Sequence, residues 1–170
     1  MRSLSAEMLD RLRVDAGDNP RRRLHCNLHA SYAEPCQRLF NAVGVGSYIR
    51  PHRHTAAQRE ETLLAVWGLF ALFVFDETGL ILSVERFGSE RFRGRCRGVG
   101  VELLPGEWHT VIALVPDSVL FEVKTGPFDP NAAKEFAPWA PVEGTQEALA
   151  FMELLAERAE AEPPTAMLTT

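Results

Sequence analysis

From about residue 40 to residue 125 the apolar and polar positions come in short runs, broken at close intervals by turn residues. The runs predict strands at 61–67, 69–75, 80–86, 99–104, 108–115 and 119–124. Turns are expected at Asp76 to Gly79, at Pro105-Gly106 and at Pro116-Asp117. No helical period appears here, which disfavours a parallel sheet with crossover helices. Many short strands with regular turns point instead to a sandwich or a small barrel. Upstream, RRRLHCNLH reads as an edge strand, QRLFNAV as a second strand, and SYIRPHRH as a third entered through Gly44 and Gly46.

The period changes at both ends. Residues 4–15 place Leu4, Met8, Leu12 and Leu9 on one helical face, with Ser3 or Ser5 as the cap and Gly17 to Pro20 as the stop. Near the other end, Thr145 N-caps a helix whose apolar face is Leu149, Met152, Leu154 and Leu155, ended by Pro163-Pro164. The proline- and aromatic-rich segment between Lys124 and this helix is expected to run irregularly over the surface. The expected layout is an N-terminal helix and arm at 1–20, a β-barrel domain at 21–144, a C-terminal helix at 145–163 and a disordered tail at 164–170.

Composition narrows the class. A chain of 170 residues with 46% hydrophobic residues can fill one core. A net charge of −5 argues against a nucleic-acid binder held by a positive field. The basic runs RRR at 21–23 and RFRGRCR at 91–97 are read as solvated loop or edge-strand faces. Three cysteines, Cys26, Cys36 and Cys96, are odd in number and lack Cys-x-x-Cys spacing, so a disulfide framework is not expected and a reducing cytoplasm is the natural compartment. The first residues lack a continuous apolar stretch of the signal-peptide kind. The run LLAVWGLFALFVF is only 13 residues long and contains glycine, so it reads as two buried strands and not as a membrane span.

The candidate chemistry begins at Gly46. His52 and His54 stand i, i+2, which in an extended strand puts both rings on one side, roughly 6.6 Å apart. Glu60 and Glu61 follow, and His109 in LLPGEWHTVIAL is the best third histidine. Imidazoles and a carboxylate converging from neighbouring strands suit divalent zinc, iron, manganese or nickel. If His109 points inward, so do Val111, Ala113 and Val115, while Trp108, Ile112 and Leu114 need cover from helices or a second subunit. If Glu61 points inward, Leu63, Ala65 and Trp67 join it; if Glu60 does, Thr62, Leu64 and Val66 join. Both sets are apolar, so periodicity leaves the two glutamates open.

The spacing Gly46-x(5)-His52-x-His54-x(6)-Glu61-x(6)-Gly68, with Gly106-x-x-His109 further on, resembles the two motifs of the cupin superfamily. The gap between His54 and Glu61 is longer than the usual pattern. In the second motif a proline directly precedes Gly106, and Ala113 stands where asparagine is usual. The strings YIRPHRH, PGEWHTVIAL, FEVKTGPFDP and KEFAPWAPVEG resemble the WbuC family of cupin-fold metalloproteins, over about Asn27 to Gly144. That resemblance implies an all-β core of the double-stranded β-helix (jelly-roll) type with a helix at each end. It also implies one divalent transition metal ion held by His52, His54, Glu61 and His109, and an association with bacterial surface-polysaccharide (O-antigen) gene clusters.

Glu122 and Lys124 share one strand face and have two readings: a charged pair at the pocket, with Lys124 on an anionic substrate and Glu122 as an acid or base, or a solvent-facing alternation. Arg50 alternates with His52 and can reach a phosphate or carboxylate bidentately, and Arg38 and Tyr48 are grouped with it as substrate-binding candidates. His29, in CNLH, also resembles the WbuC pattern, which makes it a candidate for the pocket mouth; His25 is read as an ordinary polar residue. The expectation is a metal-dependent enzyme acting on a small polar or anionic, carbohydrate-derived substrate. An iron ion would suit oxygenation, and a non-redox ion isomerase or lyase chemistry. The competing expectation is a non-catalytic sugar- or metabolite-binding module with a structural or regulatory metal. A small-molecule substrate, no nucleic acid, no membrane and a homodimer complete the expected partners.

Overall fold

The computed structural model describes residues 1, 3–54, 60–129 and 134–161. Its elements are α1 (Ala6–Asp18), β1 (Arg23–Asn27), β2 (Cys36–Val43), β3 (His52–Arg53), β4 (Glu61–Trp67), β5 (Leu69–Phe75), β6 (Ile81–Gly88), a 3-10 helix (Glu90–Arg95), β7 (Gly100–Leu103), β8 (Trp108–Ala113), β9 (Ser118–Thr125), β10 (Glu135–Phe136) and α2 (Gln146–Ala161). The strands form two five-stranded antiparallel sheets, ordered β1-β2-β9-β4-β7 and β10-β3-β8-β5-β6. Apart from the β1–β2 and β5–β6 pairs, consecutive strands alternate between the sheets, which is the double-stranded β-helix of the cupin fold.

Two glycines make this winding possible. Gly68 alone joins β4 in the first sheet to β5 in the second, at φ +91°, and a Cβ there would lie 2.1 Å from the Ser118 hydroxyl oxygen. Only glycine fits both the backbone and the contact. Gly106, at φ +84°, turns the chain from β7 into β8 and so delivers His109.

Each sheet has one face inside and one outside. Inside, Val43, Leu63, Phe70, Leu72, Phe87, Leu103, Val111, Ala113 and Leu120 pack into one apolar cluster. Outside the second sheet, Ala71, Phe73, Phe75, Trp108 and Ile112 are covered by Ala148, Met152, Leu155 and Ala159 of α2. Outside the first sheet, Phe40, Ala42 and Val119 are covered by Leu12 and Ala16 of α1, which Ser5 caps by accepting from the Met8 N–H. The split of β8, with Val111 and Ala113 inside and Trp108 and Ile112 outside, is the one its alternation predicts.

Several local expectations are corrected. RFRGRCR is solvated as expected, with Arg91, Arg93, Arg95 and Arg97 exposed, but it is mostly a 3-10 helix and not a loop or strand edge, and Arg93 pairs with Glu90. Of SYIRPHRH only His52 and Arg53 are in a strand, because Pro51 has no N–H for the ladder. Trp67 does not continue the inward row of Leu63 and Ala65. A register shift after Ala65 turns it outward, where Arg13 of α1 sits 5.4 Å over its ring. The buried face of α2 is Ala148, Met152, Leu155 and Ala159, while Leu149 and Leu154 are exposed. Thr145 does cap α2, accepting from the Ala148 N–H. The expected Pro163-Pro164 stop and the tail lie outside the described residues. Among the described residues no helix is long and apolar enough to cross a membrane.

Candidate metal centre

The side chains of the candidate site come from both sheets. Register places His52 of β3 directly opposite His109 of β8. His54 follows one residue after β3. These three rings lie 4.5 to 5.5 Å apart, centroid to centroid, and offer one ligand nitrogen each within 4.8 Å of one another. All three are at least 92% buried, at 4%, 8% and 4% exposure. From the facing sheet, Glu61 Oε2 lies 2.9 Å from His54 Nε2 and 3.5 Å from His109 Nε2.

Two of the rings are oriented by the same device. His52 Nδ1 lies 2.9 Å from the Arg50 carbonyl, and His109 Nδ1 lies 2.9 Å from the Glu107 carbonyl, each two residues back. A carbonyl can only accept, so Nδ1 carries the proton in both rings and Nε2 presents a lone pair to the cluster. Carbonyl-anchored imidazoles with free Nε2 atoms are the usual outer support of metal-bound histidine. His52 is held well below the ordinary histidine range by burial first, then by Lys134 and the two neighbouring histidines, so it stays neutral. For Glu61, burial pushes the carboxyl up, but the adjoining His109 and His54 imidazoles and the nearby Lys124 ammonium outweigh it and hold it well below the usual range. Three imidazoles and one carboxylate in a buried cluster fit a divalent transition ion.

The charges continue along the first sheet. Lys124 of β9 is the direct cross-strand neighbour of Glu61, with Nζ 3.7 Å from Oε1, and it also donates to Glu122. Both side chains point into the barrel, since Glu122 is opposite Leu63 and Leu39. Glu122 is pushed up by burial first and then by the Glu61 charge, against the opposing pull of Lys124. Lys124 is held above its ordinary value: burial lowers it, but the two carboxylates win.

A cavity of about 630 Å³ opens beside this cluster. His52, Glu122 and Lys124 are part of its lining, with His25, His29, Gln37, Arg50, Lys134, Tyr32, Phe128 and Phe136. Arg21 and Arg23 are part of the lining too, but both are paired with Glu143 at 2.7 Å. Arg50 and Lys134 carry no ion pair among the described residues. Arg50 donates to the Ala137 carbonyl at 3.2 Å and leaves its buried Nε without a partner there.

The structure therefore brings His52, His54, Glu61, His109, Glu122 and Lys124 together and sets Arg50 and His29 on the cavity wall. Glu60 is exposed. Two substrate-binding candidates lie elsewhere. Arg38 shares the outer face of β2 with Phe40 and Ala42 and pairs with Glu34 at 3.0 Å. Tyr48 packs under α2 and donates to the Pro141 carbonyl; its phenol is pushed up to about 12, chiefly by burial. Gln37, Lys134 and Glu143 were not singled out from sequence. Gln37 could have been, as a polar residue in the inward register of Leu39 and Asn41.

A family described as "Domain of unknown function (DUF6016)" matches residues 4–87. That match includes His52, His54 and Glu61 but stops short of His109, Glu122 and Lys124. No curated protein matches the chain. Among solved structures, protein SO0799 from Shewanella oneidensis is 12% identical, with a TM-score of 0.51 over 80% of this chain and 83% of that one. KdgF from Halomonas sp. is 16% identical (TM-score 0.47, 64% of this chain and 82% of that one). A cupin-2 domain protein from Rhodospirillum rubrum is 14% identical (TM-score 0.49, 79% and 80%). By its strand order this chain has the cupin fold, and its barrel holds a buried three-histidine cluster compatible with a metal ion.

Proposed function

We propose that this chain is a metal-dependent cupin enzyme of the WbuC type, acting on a small anionic, carbohydrate-derived substrate in bacterial surface-polysaccharide metabolism. The observation that carries the proposal is the convergence of His52, His54, His109 and Glu61 beside a cavity that His52 lines, with Arg50 and Lys134, which carry no ion pair among the described residues, on its wall. A divalent ion held by these four residues would polarise a substrate oxygen or activate a small co-substrate. The chain's own residues divide the remaining work. Arg50 and Lys134 attract and orient the substrate anion. Lys124 holds Glu61 ionised and turns it toward the histidines. Glu122, on the other side of Lys124, is placed to hold or pass a proton at its carboxylate oxygen. The packed apolar cluster behind the site keeps bulk water to the cavity side.

The test is elemental analysis of protein purified without a metal-affinity tag, repeated after anaerobic reconstitution with iron(II). One equivalent of zinc, iron, manganese or nickel is expected, and His52→Ala, His54→Ala and His109→Ala should each abolish it. Retention of a full equivalent in all three variants would sink the ligand assignment. Bound iron would direct turnover assays to oxygen consumption, and zinc or manganese to isomerase and lyase screens with nucleotide sugars.

A further inference from the structure

The cavity wall farthest along β2 from the apolar cluster carries two buried polar atoms that have no partner among the described residues: His29 Nε2 and Gln37 Oε1. Both side chains are more than nine-tenths buried, at 8% and 1% exposure. Their orientations are fixed by what the opposite ends do. The Gln37 amide nitrogen donates to the carbonyls of Glu34 at 2.8 Å, Tyr32 at 3.3 Å and Ser31 at 3.4 Å, so its oxygen must be the atom turned the other way. His29 Nδ1 lies 3.0 Å from the Arg38 carbonyl and 3.1 Å from the Arg38 N–H; that N–H can only donate and is aimed at Nδ1, while the carbonyl takes the Leu28 N–H, so Nδ1 is the acceptor and the imidazole proton sits on Nε2. One orphan is thus a donor and the other an acceptor. Leaving either unmatched in a folded protein is unfavourable.

We infer that this wall is a hydroxyl-recognition subsite, where a substrate alcohol accepts from His29 Nε2 and donates to Gln37 Oε1. A single hydroxyl oxygen performs both roles, which a carboxylate cannot. The flanks agree with a hydroxylated ring or chain of mixed polarity. Tyr32 and Phe128 stand 5.0 Å apart, centroid to centroid, with Tyr32 5.8 Å from His29, and give an aromatic side to the same wall. Lys124 lies 5.8 Å from the Phe128 ring and 3.7 Å from Glu61, so one small molecule can reach from this subsite to the histidine cluster. The inference rests on the reading of the cavity as a substrate site and names the group that site selects.

The experiment is calorimetric titration of the full-length chain, its metal content measured first, with D-glucuronate and with cyclohexanecarboxylate, which keeps the ring and the charge but has no hydroxyls. D-Glucuronate is expected to bind about tenfold more tightly or better. His29→Asn keeps an acceptor for the Arg38 N–H but withdraws Nε2, and should bring the two acids to within about twofold while leaving cyclohexanecarboxylate unchanged. Should that variant melt early, Tyr32→Ala, at a half-exposed ring, should weaken D-glucuronate selectively. Equal affinities in the unsubstituted chain, no binding of D-glucuronate at millimolar concentration, or a preference untouched in both folded variants would each overturn the inference. The metal measurement separates the two ideas. A metal-loaded chain without hydroxyl preference overturns the subsite alone, and a metal-free chain that keeps the preference overturns the metal reading alone.

Discussion

The two ends of the barrel interior are built from the same strands and could hardly differ more. On β8, His109 is followed on the same face by Val111 and Ala113; on β4, Glu61 by Leu63 and Ala65; on β9, Leu120 precedes Glu122 and Lys124. At one end the facing side chains interdigitate, and Phe70, Phe87, Leu103 and Leu120 are almost wholly buried. At the other, the same three strands present two carboxylates, a lysine and a histidine to one another. The difference teaches that alternation assigns a residue to a face, whereas its position along the strand decides whether that face is packed core or working site. The apolar end supplies the stability that lets the polar end remain costly.

That comparison can be broken from either side, and the largest effect is expected at the dry end. Phe70→Ala, at a side chain of 0% exposure, should lower unfolding free energy by about 3–5 kcal/mol in urea titration. Metal stoichiometry of the fraction that remains folded should not change. Loss of metal in that fraction would mean the two ends are one coupled unit.

A smaller, pH-dependent effect is expected at the rim. Burial pushes Glu143 up, but its bonds from Arg21 and Arg23 prevail and hold it below the ordinary carboxylate range. A depressed folded value means the contribution is fully present above the unfolded carboxylate pKa. It is lost as pH falls through the folded value. Thermal melts of Glu143→Gln should therefore fall below the parent at neutral pH and converge with it in acid. A constant gap at all pH values would remove the ion pairs from the account. The smallest effect belongs to Glu60→Ala. Its exposed side chain predicts unchanged metal content and a stability change within about 0.5 kcal/mol, measured by elemental analysis and melting.

Much of this architecture was legible in the chain. β4 and β5 begin and end where the alternation and Gly68 place them, because strand period and turn chemistry are local signals. The sheet pairing is not local, and neither is the choice between Glu60 and Glu61. Thr62, Leu64 and Val66 are as apolar as a core row would be, yet Leu64 and Val66 are partly exposed on the outer face, and Leu63 and Ala65 fill the interior. Trp67 escaped its row because a bulge changes parity without a sequence marker. Leu149 and Leu154 outrank Ala148 and Ala159 in hydropathy, but α2 lies so close to the second sheet that small residues take the contact. Arg38 and Tyr48 looked like ligand-binding groups by residue type. Their partners, Glu34 and the Pro141 carbonyl, are visible only in three dimensions.

The most direct test of the central claim is a crystal structure of the metal-reconstituted protein, with anomalous difference density collected at the edge of the bound metal. The account predicts one peak inside the barrel, about 2.0–2.2 Å from a ring nitrogen of each of His52, His54 and His109 and from a Glu61 carboxylate oxygen. A barrel with no peak among these four side chains, or a metal peak seated elsewhere, would contradict it.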